Sequence, residues 1–461
     1  MTSQTRPLPV AVIGGGFSGL MAAERLLNAL PPDRPVLLYE RSRPFGLGLA
    51  YTTANPDHLL NLRATQMSAD PDRQDDFAEW LARTPFDVPE RRGIRVTEAG
   101  TFASRGVYGR YLAARWERVV AGAGDRLQAI HAGIVDVERV PEGFVLHDRD
   151  GTTRRVAGLI LAMGNLPGPV VAASRYRRDP WRPDTFGSLD PDRDVLVIGT
   201  GLTMMDSVAT LRHAGFAGRI VAVSRRGLLP KPHAPVAAGH RPSLTPEIRA
   251  SARKLFGAVR HAVASAEAAG ADWRGVIDAL RPVTDELWTG LPPTEQARVL
   301  RHIRPYWDVH RHRTAPPAAE AIAAEIRRGQ LVVRAARIVA LSDTPEHAVV
   351  TIRPRGTRDR ETIAAQAILD ATGFSRLAET EDPLIRALLR RGLIRPGPFG
   401  LGIAATPGGA VTGPEEGRAT DAPLWAFGPM LRGVLWECIA VPDIRGAAGD
   451  LADRVARRIS G

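Results

Sequence analysis

A chain of 461 residues with 44% hydrophobic and 24% charged side chains can bury two or three ordinary cores, which excludes a disordered or fibrous protein. The formal charge of +11 comes almost wholly from scattered arginine, with Lys231 and Lys254 the only lysines, so it suits anionic small ligands and argues against a nucleic-acid surface. No apolar run approaches the roughly 20 residues that cross a bilayer, and the first strand-like run begins too early to leave room for a signal peptide, so the expected location is cytoplasmic and off the membrane.

In chain order, a strand at 9–13 runs into Gly14-Gly15-Gly16-Phe17-Ser18-Gly19 and then an Ala/Leu-rich helix to about Leu30, stopped by Pro31 and Pro32. A second strand at 35–39 ends on Glu40 and Arg41. This βαβ unit commits the fold to the α/β class, a mainly parallel sheet covered by helices on both faces. Each glycine of Gly14-x-Gly16-x-x-Gly19 has a mechanical reason, in turn a tight bend, close backbone approach to a pyrophosphate, and close packing of helix on strand. Phe17 and Ser18 open a helix whose free N–H groups and positive end suit phosphates. Glu40, 26 residues after Gly14, offers a carboxylate to a ribose diol.

The same grammar recurs about 185 residues later: a strand at 194–198, Gly199-Thr200-Gly201-Leu202-Thr203-Met204, a helix to about His213, and a strand at 219–223 running into Ser224-Arg225-Arg226. Two such units imply two dinucleotide sites. Met204 stands where a third glycine would be, so helix and strand should sit slightly further apart. Arg225 and Arg226 replace the acid of the first unit. A guanidinium there suits a 2′-phosphate and favours NADPH, with NADH still possible; the alternative is that both arginines form a solvated face.

Between Pro230 and about Gly329 the pattern turns helical, with helices expected at 246–269, 272–280 and 317–328, read as an insertion in the second nucleotide domain. His302, His310 and His312 lie there at spacings of eight and two, which do not share a helical face, and no metal site is expected. Arg311 and Arg313 either meet phosphates or a substrate anion, or form ion pairs. From Leu331 strands return, and a helix at 442–458 closes the chain. The expected division is a first domain over 1–180, a second over 190–335 with its insertion at about 231–329, and the closing part of the first over 336–461. Cys438 is the single cysteine, which excludes an internal disulfide, a Cys-x-x-Cys pair and a thiolate zinc site; it reads as a small buried apolar residue.

Leu161-Ala162-Met163-Gly164 and Leu369-Asp370-Ala371-Thr372-Gly373 resemble the alanine-threonine-glycine turns that two-dinucleotide flavoproteins place beside their nucleotides, which implies FAD at the first site. Longer stretches carry the likeness further: Gly46-Leu47-Gly48-Leu49-Ala50-Tyr51, His58-Leu59-Leu60-Asn61-Leu62, Ser104-Arg105-x-x-Tyr108-Gly109 and Trp436-Glu437-x-x-Ala440-Val441-Pro442. Together they resemble the bacterial FAD/NAD(P)-binding family that includes FAD-dependent urate hydroxylases and some amino-acid N-hydroxylases.

The resemblance implies two Rossmann-like domains, for FAD and NADPH. Gly46 and Gly48 would pass close to the ribityl chain and ring; Asn61 would meet the flavin edge or the substrate, or else cap a turn. Pro442 and Asp443 would open a helix aimed at the flavin O2 side. Arg105, Tyr108 and Trp436 would line the substrate cavity, or the aromatics would belong to the core. The implied activity is an NAD(P)H-consuming monooxygenase that captures O2 as a flavin C4a-hydroperoxide and hydroxylates a small nitrogen-containing substrate, urate first and an amine or amino acid second. A flavin-dependent NAD(P)H reductase or oxidase, and a non-enzymatic redox sensor, stay open as alternatives.

Overall fold

Strands that are apolar at every position, such as Val10–Ile13 and Val195–Ile198, are buried on both faces and build two separate parallel sheets. The computed structural model describes residues 7–166, 174–181, 189–237, 239, 241–373, 376–413 and 420–460. In the first sheet the order is Leu424–Ala426, Gly158–Leu161, Val10–Ile13, Val36–Glu40, Leu127–His131, all parallel. Side chains alternate across it. Val10, Val12, Val36 and Leu38 pack on one side with residues of the helices Phe17–Ala29, Arg105–Ala123 and Val441–Ser460. Ala11, Ile13, Leu37 and Tyr39 pack on the other with an antiparallel three-stranded sheet and the helix Pro383–Arg390.

The second sheet runs Arg177–Arg178, Ala367–Asp370, Val195–Ile198, Ile220–Ser224, Leu331–Asp343, Ala348–Pro354, Glu361–Ala365. Its first five strands are parallel and its last two antiparallel. Both nucleotide units therefore have the α/β form expected of them, with the helical insertion in the second.

Three boundaries differ from expectation. The strands after Leu331 do not return to the first domain at 336: Leu331–Asp343 pairs parallel to Ile220–Ser224, and the chain completes the second sheet through Asp370 before crossing back. Apolar alternation marks a strand but not the sheet that receives it. The helix expected at 317–328, found at Pro316–Arg327, belongs to that sheet and not to the insertion, because Ile322 is buried in its core. The helix expected at 246–269 is two, Pro246–Arg249 and Ala252–Ala268, since the Ser251 side chain caps the second by accepting from the Lys254 N–H. No helix among the described residues is long and apolar enough to cross a membrane.

The insertion is fastened to the C-terminal segment by buried polar contacts. Arg311 donates from Nε and Nη2 to the two carboxylate oxygens of Glu437 at 3.0 and 2.9 Å, with side chains 4% and 6% exposed. Arg281 pairs with Asp443 at 2.8 Å, and the Asp285 carboxylate accepts from the backbone N–H groups of Trp436 and Glu437. Of the two roles open to Arg311, it takes the ion pair, and Arg313 does likewise with Asp278. Arg311→Met leaves the Glu437 carboxylate buried without its partner, and should lower the unfolding free energy by about 3–5 kcal/mol in urea titrations, with partial recovery when Glu437→Gln is added.

Candidate cofactor sites and active site

The first glycine turn is held by approaches that only glycine allows. Gly14 has φ of 107°, and a Cβ there would lie 2.4 Å from the Ala162 carbonyl oxygen; a Cβ on Gly19 would lie 1.8 Å from the Gly14 oxygen. The Gly46 N–H donates to the Gly15 oxygen at 2.7 Å, and Gly48 brings its backbone against Gly16, so the loop of Gly46 and Gly48 packs directly on the turn. The helix that follows has Gly16 as N-cap and no side-chain cap, leaving its first N–H groups open. Phe17 and Ser18 at its start are buried.

Glu40 closes this turn. One carboxylate oxygen accepts from the Gly15 N–H at 3.0 Å, and the other from the N–H groups of Ser42 and Arg43 at 3.0 and 3.2 Å. Neighbouring Arg41 pairs with Asp382 at 2.8 Å. Met163 and Gly164 follow the adjoining strand, whose Ala162 N–H donates to the Ile13 oxygen beside the turn. Gly428 lies between Ser18 and Ile444, so the starts of the first helix and of Val441–Ser460, which carries Pro442 and Asp443, come together there.

The second turn repeats the arrangement. Gly199 has φ of 118°, and a Cβ there would lie 2.3 Å from the Ala371 oxygen, the counterpart of Ala162. Thr372 and Gly373 thus sit beside this second turn and not beside the first. Gly201 caps the helix Leu202–His213 without a side-chain bond, so Leu202 and Thr203 open a second uncapped helix. Met204 is fully buried in the core where a third glycine would stand. Arg225 is exposed and has no hydrogen bond or ion pair among the described residues. Arg226 lies over the Tyr306 ring, 5.5 Å from its centre, and donates to the Arg301 oxygen.

Of the three residues expected to line the substrate cavity or, for the aromatics, to belong to the core, Tyr108 and Trp436 pack among other aromatic rings and Arg105 forms an ion pair. Tyr108 is fully buried, its ring within 4.8–5.5 Å of Tyr51, Phe77 and Tyr111, and burial pushes its hydroxyl well above the usual tyrosine range. It is a core residue, because the i, i+3, i+4 stripe of Tyr108, Tyr111 and Leu112 faces the first sheet. Trp436 packs on Trp288, ring centres 4.7 Å apart, at the seam of insertion and C-terminal segment. Arg105 joins the two nucleotide units through an ion pair with Asp206 at 3.0 Å. His58 does the same, its Nε2 2.9 Å from the Thr210 hydroxyl. Asn61 offers its backbone oxygen to His233 Nε2 at 2.9 Å. Cys438 is buried as expected, and burial pushes its thiol up to about 12.

A cavity of about 580 Å³ does exist close to Asn61, lined by Arg63, Ala99, Val236, Gly275, Asp278 and Ala279 among others. Arg63, His233 and Asp278 carry no signal in the sequence. No short motif links them, and their contacts bridge 35 to 172 residues.

Two glycine turns at the ends of parallel strands, one tied to an acid and one followed by an unpaired cation, define a protein with two dinucleotide-binding folds. Residues 11–166 match a family model described as FAD-NAD(P)-binding. Over 271 residues the chain is 30% identical to an L-aspartate N-monooxygenase (nitrosuccinate-forming) of Streptomyces cremeus; the match covers 48% of this chain and 39% of that protein. The fold matches the L-lysine 6-monooxygenase of Pseudomonas syringae with a TM-score of 0.63 at 15% identity, and the Kutzneria sp. 744 ornithine N-hydroxylase, solved with reduced FAD, NADP+ and L-ornithine, with 0.62 at 12%. Each covers 98% of this chain and 99% of the other. Residues 11–166 are thus similar to the FAD-NAD(P)-binding family, and an L-aspartate N-monooxygenase is among the proteins this chain resembles over about half its length.

Gly19→Ala should purify colourless or hold FAD at least about tenfold more weakly, measured by flavin absorbance and equilibrium dialysis, because the added methyl drives helix and turn apart. Gly122→Ala, with nothing within 4 Å of the new methyl, should keep the flavin content of the parent protein.

Proposed function

We propose that this chain is an FAD-dependent, NADPH-consuming monooxygenase that hydroxylates the nitrogen of an amine or amino acid. The observation that carries the reading is the pairing in one chain of a turn closed by Glu40 with a turn followed by the unpaired Arg225. Glu40, already oriented by three N–H groups, would accept from the adenosine ribose of FAD, and the bend at Gly14 with the open helix start after Gly16 would admit its pyrophosphate. Leu202 and Thr203 present N–H groups to NADPH, while Arg225 takes its 2′-phosphate. Once reduced, bound FAD supplies the oxygen-activating chemistry. The protein's share is to hold nicotinamide, flavin and substrate in register and to keep water from them.

Of the substrates expected from the sequence, the amine or amino acid is supported by the names of the relatives, whereas urate has no such support. The buried, inert Cys438 gives electrons leaving the flavin no thiol destination.

The test is anaerobic reduction of the yellow protein by NADPH, then exposure to air with a panel of amines, amino acids and urate. Bleaching followed by substrate-dependent formation of an N-hydroxylated product is expected. Stoichiometric hydrogen peroxide whatever the substrate would instead identify an oxidase. Arg225→Ala should raise KM for NADPH about tenfold or more and so collapse the preference over NADH, as judged from initial rates with each nucleotide.

A further inference from the structure

The 580 Å³ cavity lies within the roughly 300–1,000 Å³ of small-molecule sites and carries an unbalanced charge. Its floor is Arg63, two residues from Asn61, and its opposite wall is the helix Trp273–Leu280, with Asp278 and Ala279 facing in. Arg63 donates from Nε to the Ala99 oxygen and from Nη2 to the Ala234 oxygen, the latter at 3.0 Å. Two backbone carbonyls therefore fix the plane of the guanidinium without neutralising it.

The carboxylates nearby are already committed. Asp278 is paired with Arg313, and Asp272 with Arg274 at 2.8 Å. Three guanidiniums thus share two acids, and Arg63 is the cation left over, with no carboxylate among the described residues. Two buried side chains behind the wall have unmet polar atoms. Arg313, 3% exposed, has no acceptor for Nε and Nη1. His233, 5% exposed, must donate from Nε2 because the Asn61 oxygen can only accept, which leaves Nδ1 a lone pair without a donor. Burial and the neighbouring guanidiniums of Arg313, Arg63 and Arg274 keep this imidazole neutral. A cavity lined by a fixed cation that no carboxylate among the described residues neutralises matches a small molecule bearing a carboxylate.

We infer that this cavity recognises the substrate's carboxylate through Arg63, so that the enzyme selects an amino acid over an amine or diamine lacking that group. The inference rests on the proposed function and narrows its substrate class.

The test uses matched pairs on the FAD-loaded protein by isothermal titration, each pair differing by one carboxylate: L-ornithine against 1,4-diaminobutane, L-lysine against 1,5-diaminopentane, and L-alanine against ethylamine. At least one amino acid should bind at least about tenfold more tightly than its decarboxylated partner, and Arg63→Gln should weaken that amino acid about 10- to 100-fold while Arg63→Lys recovers part of the loss. Flavin content and melting temperature show whether each variant is folded. Ala279→Phe, which fills the cavity from the opposite wall without touching the Arg63 hydrogen bonds, should weaken the same amino acid independently. If no amino acid outbinds its partner, or folded Arg63→Gln binds as the parent does, the inference is overturned. It is equally overturned if Arg63→Gln weakens NADPH and spares the amino acid, since the cation would then serve the nucleotide. Arg63-dependent binding with peroxide as the sole oxygen product would leave this site standing and remove the monooxygenase reading. N-hydroxylation unaffected by Arg63→Gln would do the reverse.

Discussion

Both nucleotide sites depend on one steric constraint: a carbonyl oxygen of a neighbouring strand occupies the space where a side chain would otherwise begin. The Ala162 oxygen does this to Gly14, and the Ala371 oxygen does it to Gly199. In each sheet the glycine-bearing strand lies between the strand that ends in that alanine and the strand that ends in the acid or base, so the turn falls where chain connections depart in opposite directions. That crevice is where open parallel sheets accept ligands. The two turns then diverge. Gly19 lets the first helix seat directly against the Gly14 oxygen, whereas Met204 anchors the second by burying an apolar side chain among Val195, Val197 and Leu369.

The residues that join the two units lie in the same segments that border the cavity. His58 reaches Thr210, Arg105 reaches Asp206, and His233 reaches Asn61. The seam is therefore polar. Arg105 and Asp206 are 15% and 12% exposed, while Arg311 and Glu437 are almost fully enclosed at 4% and 6%. The insertion is accordingly tied to the C-terminal segment by an enclosed ion pair, and the nucleotide units are joined by a largely buried one together with the hydrogen bonds of His58 and His233.

Features written within some thirty residues of chain were legible before the fold was known. The turn at Gly14, its acid at Glu40, the turn at Gly199 and its base at Arg225 depend on local periodicity and fixed offsets, and each occupies the element assigned to it. Sheet membership was not legible, because Ala348–Pro354 and Glu361–Ala365 alternate in the same way whichever sheet accepts them. Tyr108 was open to both readings, since an aromatic stripe on a helix reads alike for core and site, and it lies in the core. Of the cluster at the cavity, Arg313 stood out beside Arg311, but Arg63, His233 and Asp278 had no signal, because in a chain rich in scattered arginine an unbalanced cation shows only once the carboxylates have been matched to their partners.

The difference between Glu40 and Arg225 extends to how each nucleotide would be held. Glu40 is immobilised by three N–H groups before any ligand arrives, so binding to it freezes no further rotamers and favours long residence. Arg225 is exposed and unrestrained, and ordering such a side chain costs roughly 0.5–1.5 kcal/mol on each encounter. A pre-ordered acid suits a cofactor that stays through many turnovers. A mobile base suits one that delivers its hydride and leaves, and the proposed function needs that asymmetry, because FAD must remain while NADPH is exchanged at every cycle.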